Sequence, residues 1–252
     1  MRKVESAVME SRQLDILRAI VDEYVATEEP VGSKAIAQRH GLGISPATIR
    51  NEMALLEDAG LITQPHTSAG RIPTDRGYRL FVDKLATVKP ISNPERKAIE
   101  KFLESADNLD DLMLRTVRLL SQLTRQVAVI QYPTEAPFPV EKSKIAVAGT
   151  AQFVRTSHEE LTEIEPILDA LEEQVVLLKL LNEASDSIKV RIGEEQNDRH
   201  LKSASTISMS YSSSEYGSGA VGVIGKKRMD YSNSMSAVNA VANYVSRFLS
   251  DK

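Results

Sequence analysis

Early in the chain, apolar residues recur at helical spacing, and turn-forming residues interrupt them. From Gln13 onward, apolar positions recur from Leu14 to Val25, with charged residues that include Glu23 on the opposite face, which is typical of an amphipathic helix. The segment "EEPVGS" ends this helix. Ser33 can cap a short second helix, "KAIAQRH", which Gly41 terminates. The pattern therefore predicts two successive helices.

The next segment, "HGLGISPATIRNEMALLEDAGLI", carries strong signals for a third helix. Ser45 can occupy the N-cap, and Pro46 can follow at the first helical position, where the missing N–H of proline removes no helical hydrogen bond. Gly60 ends the helix, and the buried stripe is predicted at Ile49, Met53 and Leu56. Small polar residues and an Arg-Asn pair fill the first turn, which predicts that this end contacts a partner.

A small hairpin is predicted directly after the third helix. "LIT" is a short strand, "QPHTSAG" is a turn-rich tip and "RIPT" is the returning strand, after which Thr74 can cap a fourth helix. Three helices followed by a hairpin is the element order of a winged helix-turn-helix. We therefore expect a DNA-binding domain of this kind over residues 1–89.

The segment "TVKPISNPE" is a predicted linker, and it leads into two helices. Residues 90–126 are therefore expected to be linker helices between the two domains. The second of these, Leu109 to Leu123, has a leucine-rich face. We interpret that face as domain core, and a substitute pairing surface between two chains is the alternative.

Residues 127–252 predict a mixed domain of helices and strands. "QVAVIQYP" is a predicted strand, "TEAPFPVEKS" a proline-rich joint, and "KIAVAGTAQFV" a strand that runs into a loop. Helices are predicted from Glu163 to Glu183 and from about Ser234 to Leu249, with the strands "IKVRIGEE", "STISMSYS" and "AVGVIG" between them. The predicted fold class is α+β, a winged helix-turn-helix followed by a mixed α/β domain.

Composition restricts the possible functions. The chain has no cysteine, which excludes disulfide frameworks and cysteine nucleophiles and favours a reducing compartment. No signal peptide is indicated, and no apolar run approaches the ~18 residues of a membrane span, so we expect a cytoplasmic protein with no membrane partner. The net charge of −4 argues against a protein that simply coats nucleic acid, but residues 1–89 are neutral, with 12 Lys/Arg and 12 Asp/Glu. A local basic face remains compatible with that balance.

The start of the third helix carries side chains suited to reading DNA, because in a winged domain this end reaches base edges in the major groove. Arg50 can contact guanine bidentately, Asn51 can contact adenine, and Thr48 can meet a phosphate or a thymine methyl group. Ser45 and Ala47 complete the exposed turn, whose unpaired N–H groups favour phosphate. The alternative is the solvated polar face of an ordinary helix.

Three further residues are DNA-binding candidates. Arg71, in the wing segment "HTSAGRIPTDRGYR", lies where a wing can enter the minor groove or touch a phosphate, with a solvated turn as the alternative. His66, beside Pro65 in the wing, and Lys34, in the second helix, complete the set. The four histidines are scattered and no carboxylates cluster at ligand spacing, so we expect neither a metal nor another cofactor.

Two segments carry residues that could suggest catalysis. "RIGEE" pairs two carboxylates, but no nucleophile or base motif accompanies it, so a strand-end turn with surface acids is preferred. The glycine-rich "YGSGAVGVIGKKRMDY" lacks the order of a phosphate-binding loop, because Lys226 is followed by Lys227 rather than by serine or threonine. Its glycines are expected at turns and close backbone approaches in a sheet. The sequence therefore predicts a protein that is not an enzyme.

Several long motifs resemble the HrcA family of heat-inducible transcription repressors. They are "EPVGSKAIA", "ISPATIRNEMALLEDAGLI", "HTSAGRIPTDRGYRLFVDKL", "VRIGEE" and "VIGKKRMDY". The resemblance implies a bacterial repressor of chaperone operons that binds an inverted-repeat operator as a homodimer. It also implies that the GroEL chaperonin helps to keep the repressor active, and that the C-terminal part is GAF-like.

The chain departs from the family pattern in the middle. Family members usually carry further strands and an inserted dimerisation domain between the segments that correspond to "QVAVIQYP" and "KIAVAGTAQFV", whereas here only "TEAPFPVEKS" spans that gap. We therefore expect a shortened GAF-like domain. A smaller departure is Lys226, which stands where the family usually has proline.

The sequence leaves two main hypotheses for the function and a third possibility. The leading hypothesis is a dimeric repressor. The competing hypothesis is a chaperone-interacting or ligand-sensing module with weakened dimerisation that binds only half-sites. A metabolite-responsive winged-helix regulator is the third, and it requires a pocket that the sequence does not identify.

Overall fold

The computed structural model describes residues 11–66, 69–90, 92–133, 143–156, 161–213 and 217–250. The chain divides into two compact units, Met1–Ala86 and Thr87–Lys252. Among the described residues, no helix is both long enough and apolar enough to cross a membrane.

The described residues of the first unit form four helices and a two-stranded hairpin. Its elements are α1 (Ser11–Thr27), α2 (Ser33–Arg39), α3 (Pro46–Asp58), β1 (Ile62–Thr63), β2 (Ile72–Pro73) and α4 (Asp75–Lys84). Helix α1 packs against α2, α3 and α4. The core where they meet consists of fully buried aliphatic side chains, among them Ile16, Leu17, Ile20, Ile36, Ile49 and Leu56. Removal of these side chains from water is the main stabilising term of such a small domain.

The hairpin pairs Ile62 with Pro73 in antiparallel register, and a third segment adds to it. The backbone of Val31 exchanges both hydrogen bonds with Arg71, at 2.8 and 2.9 Å. This close approach requires glycine at position 70, because a Cβ atom there would lie 2.5 Å from the backbone of Val31. The base of the wing is therefore fixed to the turn between α1 and α2, whereas residues 67 and 68 of the predicted tip lie outside the described residues.

The second unit is a five-stranded antiparallel sheet with helices on both faces. Its helices are α5 (Asn93–Glu104), α6 (Leu109–Thr124), α7 (Thr150–Thr156), α8 (Leu161–Glu172), α9 (Gln174–Asn182) and α10 (Tyr231–Ser250). Its strands are β3 (Val127–Pro133), β4 (Ser143–Ala148), β5 (Lys189–Ile192), β6 (Ala204–Ser213) and β7 (Gly217–Lys226). The strand order is β4-β3-β7-β6-β5.

The two faces of the sheet are covered by different helices. Helices α6 and α10 pack on one face, whereas α7, α8 and α9 close a second core on the other. Strands β3 and β4 pair directly, with Pro133 opposite Ser143, although the connection between them, residues 134–142, lies outside the described residues. The predicted winged helix-turn-helix followed by a mixed α/β domain is confirmed.

The leucine-rich face of α6 belongs to this second unit. Leu112, Met113, Val117 and Leu120 are buried, which confirms the interpretation as domain core, and only Leu123 at the end of the helix is substantially exposed. Helices α5 and α6, set apart above as a linker region, therefore form part of the second unit.

Three expectations within residues 144–249 were wrong in detail. The predicted helix from Glu163 to Glu183 is two helices that break at Glu173. The buried face of α9 is out of phase with that of α8, and Val175 at the start of α9 is therefore 61% exposed. The loop predicted after β4 is helix α7. The last helix begins at Tyr231 rather than at about Ser234, because Asp230 caps it and its carboxylate accepts the backbone N–H of Asn233 at 2.9 Å.

Candidate nucleic-acid interface

The start of α3 is organised by its cap. The hydroxyl of Ser45 accepts a hydrogen bond from the backbone N–H of Thr48 at 3.1 Å, and the hydroxyls of the two residues lie 3.0 Å apart. Pro46 occupies the first helical position, as predicted. Both Ser45 and Thr48 therefore serve the cap in this structure, and they present what remains of their polar surface at the tip of the helix.

The orientation of α3 leaves a polar face uncovered. Ile49 and Met53 are buried in the core, and this burial turns Ala47, Arg50 and Asn51 outward, where all three are exposed. Among the described residues, neither Arg50 nor Asn51 has a hydrogen-bond or ion-pair partner in the protein. The arrangement leaves both side chains able to extend toward a ligand that approaches the helix N-terminus.

A buried carboxylate holds α2 in place beneath α3. Glu23, expected on the solvated face of α1, is only 7% exposed, so that expectation was wrong. It accepts a hydrogen bond from Arg39 and lies 3.1 Å from the imidazole Nε2 of His40, both at the end of α2. A buried charge is tolerated when it is paired and hydrogen-bonded in this way. The contact positions the turn that leads into α3, while Lys34 stays exposed near the start of α2.

Arg71 lies at the base of the wing rather than at its tip. Its Nε and Nη2 atoms contact the Oε2 atom of Glu57 on α3 at 2.9 and 2.8 Å. The remaining Nη1 has no partner among the described residues, and the side chain is 24% exposed. Sequence reasoning missed Glu57, although it lies four residues after Met53 on the flank of the buried stripe.

The described residues on the two sides of the wing tip are joined by backbone and side-chain hydrogen bonds. The carbonyl of His66 accepts the N–H of Ala69 at 2.9 Å, and the amide of Gln64 donates to the carbonyl of Ala69 at 3.0 Å. The His66 side chain is exposed. The structure therefore groups Ser45, Ala47, Thr48, Arg50 and Asn51 on one helix end and places Lys34, His66 and Arg71 on other elements of the same unit.

The two segments considered as possible catalytic sites, "RIGEE" and the glycine-rich segment, have structural roles. Glu195 accepts the backbone N–H of Ile192 at 2.9 Å and closes the turn after β5, while Glu194 pairs with Lys202 at 2.6 Å. In the glycine-rich segment, a Cβ atom at Gly222 would lie 2.5 Å from the carbonyl oxygen of Ile207, which confirms a close backbone approach in the sheet. The described residues contain no group of carboxylates and histidines that could hold a metal ion.

A three-helix unit with a hairpin wing and an exposed polar recognition helix defines a winged helix-turn-helix DNA-binding protein. Residues 8–85 match the family model for the winged helix-turn-helix transcription repressor, HrcA DNA-binding, and residues 134–235 match that for the HrcA protein C terminal domain. The chain belongs to the HrcA family of heat-inducible transcription repressors. It is accordingly a DNA-binding repressor and not an enzyme.

Individual relatives agree with the family models. The heat-inducible transcription repressor HrcA of Streptomyces avermitilis is 42% identical, with 97% of this chain and 100% of the relative covered. That of a Nocardioides species is 41% identical with the same coverage. A crystal structure described as a hypothetical protein at 2.2 Å resolution shares 22% identity and a TM-score of 0.76, with 96% of this chain and 99% of the other covered, and therefore shows the same fold.

This chain is shorter than its relatives in an internal region. The alignment with the Streptomyces avermitilis protein extends over 337 positions, whereas the chain has 252 residues, which leaves at least 85 positions without a counterpart. Because the relative is covered over its whole length, the shortfall lies between matched segments. A shortened chain was expected, and the place of the gap at "TEAPFPVEKS" stays a prediction.

Proposed function

We propose that this protein represses chaperone operons by binding an inverted-repeat operator as a homodimer. The observation that carries the proposal is the outward-facing, unpartnered pair Arg50 and Asn51 in the first turns of α3, on a domain of the HrcA DNA-binding family. Such a pair is suited to major-groove hydrogen bonding, because guanidinium and amide groups match the edges of guanine and adenine.

The remaining candidates supply positioning contacts in this proposal. Ala47 and Thr48 lie where a thymine methyl group or a phosphate approaches the helix end, and Ser45 presents the N-terminus of α3 to a phosphate. Lys34, on α2, approaches the backbone beside the groove. These contacts fix the register of the domain on the duplex without carrying sequence information.

The wing contributes the second set of contacts. Arg71 uses its Nη1 edge on a phosphate while Glu57 holds the other edge, and His66 at the tip approaches the minor groove. The ion pair with Glu57 joins the wing to the recognition helix, so both elements meet DNA as one rigid surface.

Symmetry links the operator to the assembly. Two recognition helices related by a two-fold axis meet half-sites at a spacing that the dimer sets, so an inverted repeat in the DNA mirrors the protein. In the same proposal a GroEL-type chaperonin keeps the repressor active, and heat relieves repression by withdrawing it. The heat-inducible character of the family supports this part.

The internal shortening favours one alternative. Loss of at least 85 aligned positions can remove a pairing surface and leave a module that binds single half-sites weakly and acts through a chaperone or a ligand. This alternative retains the DNA-reading helix but not the dimer.

A fluorescence-anisotropy titration separates the two functions. The probes are an inverted-repeat chaperone-operator duplex, a single half-site and a scrambled duplex, each at two salt concentrations. We expect the full repeat to bind at least about tenfold more tightly than the half-site, because the second contact is intramolecular once the first has formed. Equal and weak binding of repeat and half-site would establish the alternative, and equal binding of all three duplexes would contradict both.

Replacing Ser45 with aspartate should separate helix capping from DNA binding. Aspartate caps as well as serine and interacts favourably with the helix N-terminus, so thermal stability should not fall. The added carboxylate should repel the proposed phosphate and weaken operator binding about tenfold. Ser45→Asn is the matched control, because asparagine is isosteric with aspartate but neutral, and this variant should retain affinity for the operator. If both variants bind like the unmodified protein, this helix end does not approach phosphate.

A further inference from the structure

The second unit contains a cleft of about 420 Å³ between α9, the edge strand β5 and the neighbouring strand β6. Its volume is in the range of small-molecule sites, which are roughly 300–1,000 Å³. Val176, Leu180 and Leu201 supply apolar wall, and the turn after β5 closes one side. All of these residues belong to the second unit, so the cleft is independent of the DNA-reading surface.

The floor of the cleft is polar, whereas the part of the same sheet face that lies in the second core carries aliphatic side chains. Residues that pair directly across strands share a face, and the register pairs Lys189 with Ser208 and Arg191 with Thr206. On the central strands this face carries Val129 and other aliphatic residues of the second core. The change from apolar to polar side chains occurs at the cleft.

Two of these floor residues are deeply buried. Thr206 is 3% exposed and bonds to the amide of Gln196, which is itself 6% exposed and also donates to the carbonyl of Arg191 at 3.0 Å. Ser208, which is 5% exposed, also lines the cleft. Buried polar groups in proteins are nearly always paired, and Gln196 meets this requirement for Thr206. Gln196 therefore fixes a rigid polar floor, to which Ser208 adds a hydroxyl.

The charges around the cleft are unequally paired. Arg191 forms an ion pair with Glu183, which also accepts the amide of Asn197 at 2.7 Å, so both charges of that pair are engaged. The carboxylate of Asp198 accepts a hydrogen bond from the backbone N–H of His200, and it lies 3.0 Å from the ring Nδ1 of the same residue. The two carboxylates that line the cleft thus already have partners.

Two ammonium groups are left without a carboxylate. Lys189 donates to the backbone carbonyl of Glu183 at 2.8 Å, and Lys179 extends from α9 at the exposed rim. Neither lysine has a carboxylate partner among the described residues. A pocket with two ammonium groups that lack a carboxylate partner, a serine hydroxyl in its floor and an apolar wall is complementary to a small organic anion.

We propose that this cleft binds a small organic oxyanion, a carboxylate or a phosphate, held by Lys179 and Lys189 over the Ser208 hydroxyl. The carbon skeleton of the ligand lies against Val176 and Leu180. This site supplies the pocket that a ligand-responsive regulator needs, and it stands whether or not the chain dimerises on DNA.

Isothermal titration calorimetry with the full-length protein at constant ionic strength tests the site. The probes are inorganic phosphate, succinate and citrate, which distinguish phosphate from carboxylate recognition. We expect at least one probe to bind saturably at one site per chain. The double variant Lys179→Gln/Lys189→Gln should weaken that binding about tenfold or more, because each lysine makes a charge-assisted contact.

Lys202→Gln is the matched control, since its ammonium pairs with Glu194 and does not line the cleft. This variant should bind like the unmodified chain, and a thermal melt of each variant checks that the unit is folded. Absence of saturable binding of all three probes up to about 10 mM would overturn the proposal. So would equal weakening by the control, or binding unchanged in the double variant. DNA titrations of the same variants keep any failure here separate from failure of the operator proposal.

Discussion

Replacing Gly77 with alanine is expected to destabilise the winged-helix unit by about 3 kcal/mol, at the upper end of overpacking effects. A Cβ atom on Gly77 would lie 2.0 Å from the carbonyl oxygen of Leu61 and 3.1 Å from its carbon. That carbonyl accepts the N–H of Thr74 at 3.0 Å, so it cannot turn away without loss of a bond at the base of the wing. Helix α4 must therefore separate from the hairpin.

Chemical denaturation of the purified chain measures this effect, with the unfolding of the winged-helix unit followed by a probe placed in that unit. Gly32→Ala is the matched control, because a Cβ atom there has no neighbour within 4 Å and the backbone is extended with φ −95°. The control should change the free energy of unfolding by less than about 1 kcal/mol, since a weaker cap is offset by reduced freedom of the unfolded chain. Equal stability of both variants would show that α4 can adjust without cost.

The elements that the sequence predicted well are those with local chemical signals. Ser45, Pro46 and Gly60 each act on their own backbone, through a side-chain cap, a missing N–H and a left-handed φ of +70°. Such effects do not depend on the rest of the fold. The start and end of α3, and with them the exposed face that carries Arg50, could therefore be predicted from a few neighbouring residues.

The contacts that join elements distant in sequence could not be predicted in the same way. Glu57 and Arg71 are separated by fourteen positions, and Glu23 lies sixteen before Arg39, so no local pattern indicates either pair. The break at Glu173 also escaped prediction, because "EEQVVLLKLL" is apolar enough to continue a helix and only the packing of the second core decides its phase. The same holds for the cleft, whose walls come from separate strands and a helix.

In the proposed function, Arg50 recognises the base sequence of the operator. Its side chain is exposed and has no partner in the described part of the chain, so its removal should leave folding unchanged. Surface substitutions of this kind typically alter stability by no more than about 0.5 kcal/mol. Any large change in affinity on its replacement therefore reports on DNA and not on the protein.

Arg50→Ala should weaken binding to the operator by about 1–3 kcal/mol and reduce discrimination against the scrambled duplex, because a bidentate contact to one guanine is lost. Arg50→Lys is the informative comparison. Lysine keeps the charge and hence the salt dependence of binding, but it lacks the rigid two-donor fork, so discrimination should fall while affinity for scrambled DNA stays unchanged. Anisotropy titrations of both variants on the two duplexes measure these quantities. Equal losses for Arg50→Ala on operator and scrambled DNA would mean that Arg50 contacts phosphate, and that base recognition lies elsewhere on α3.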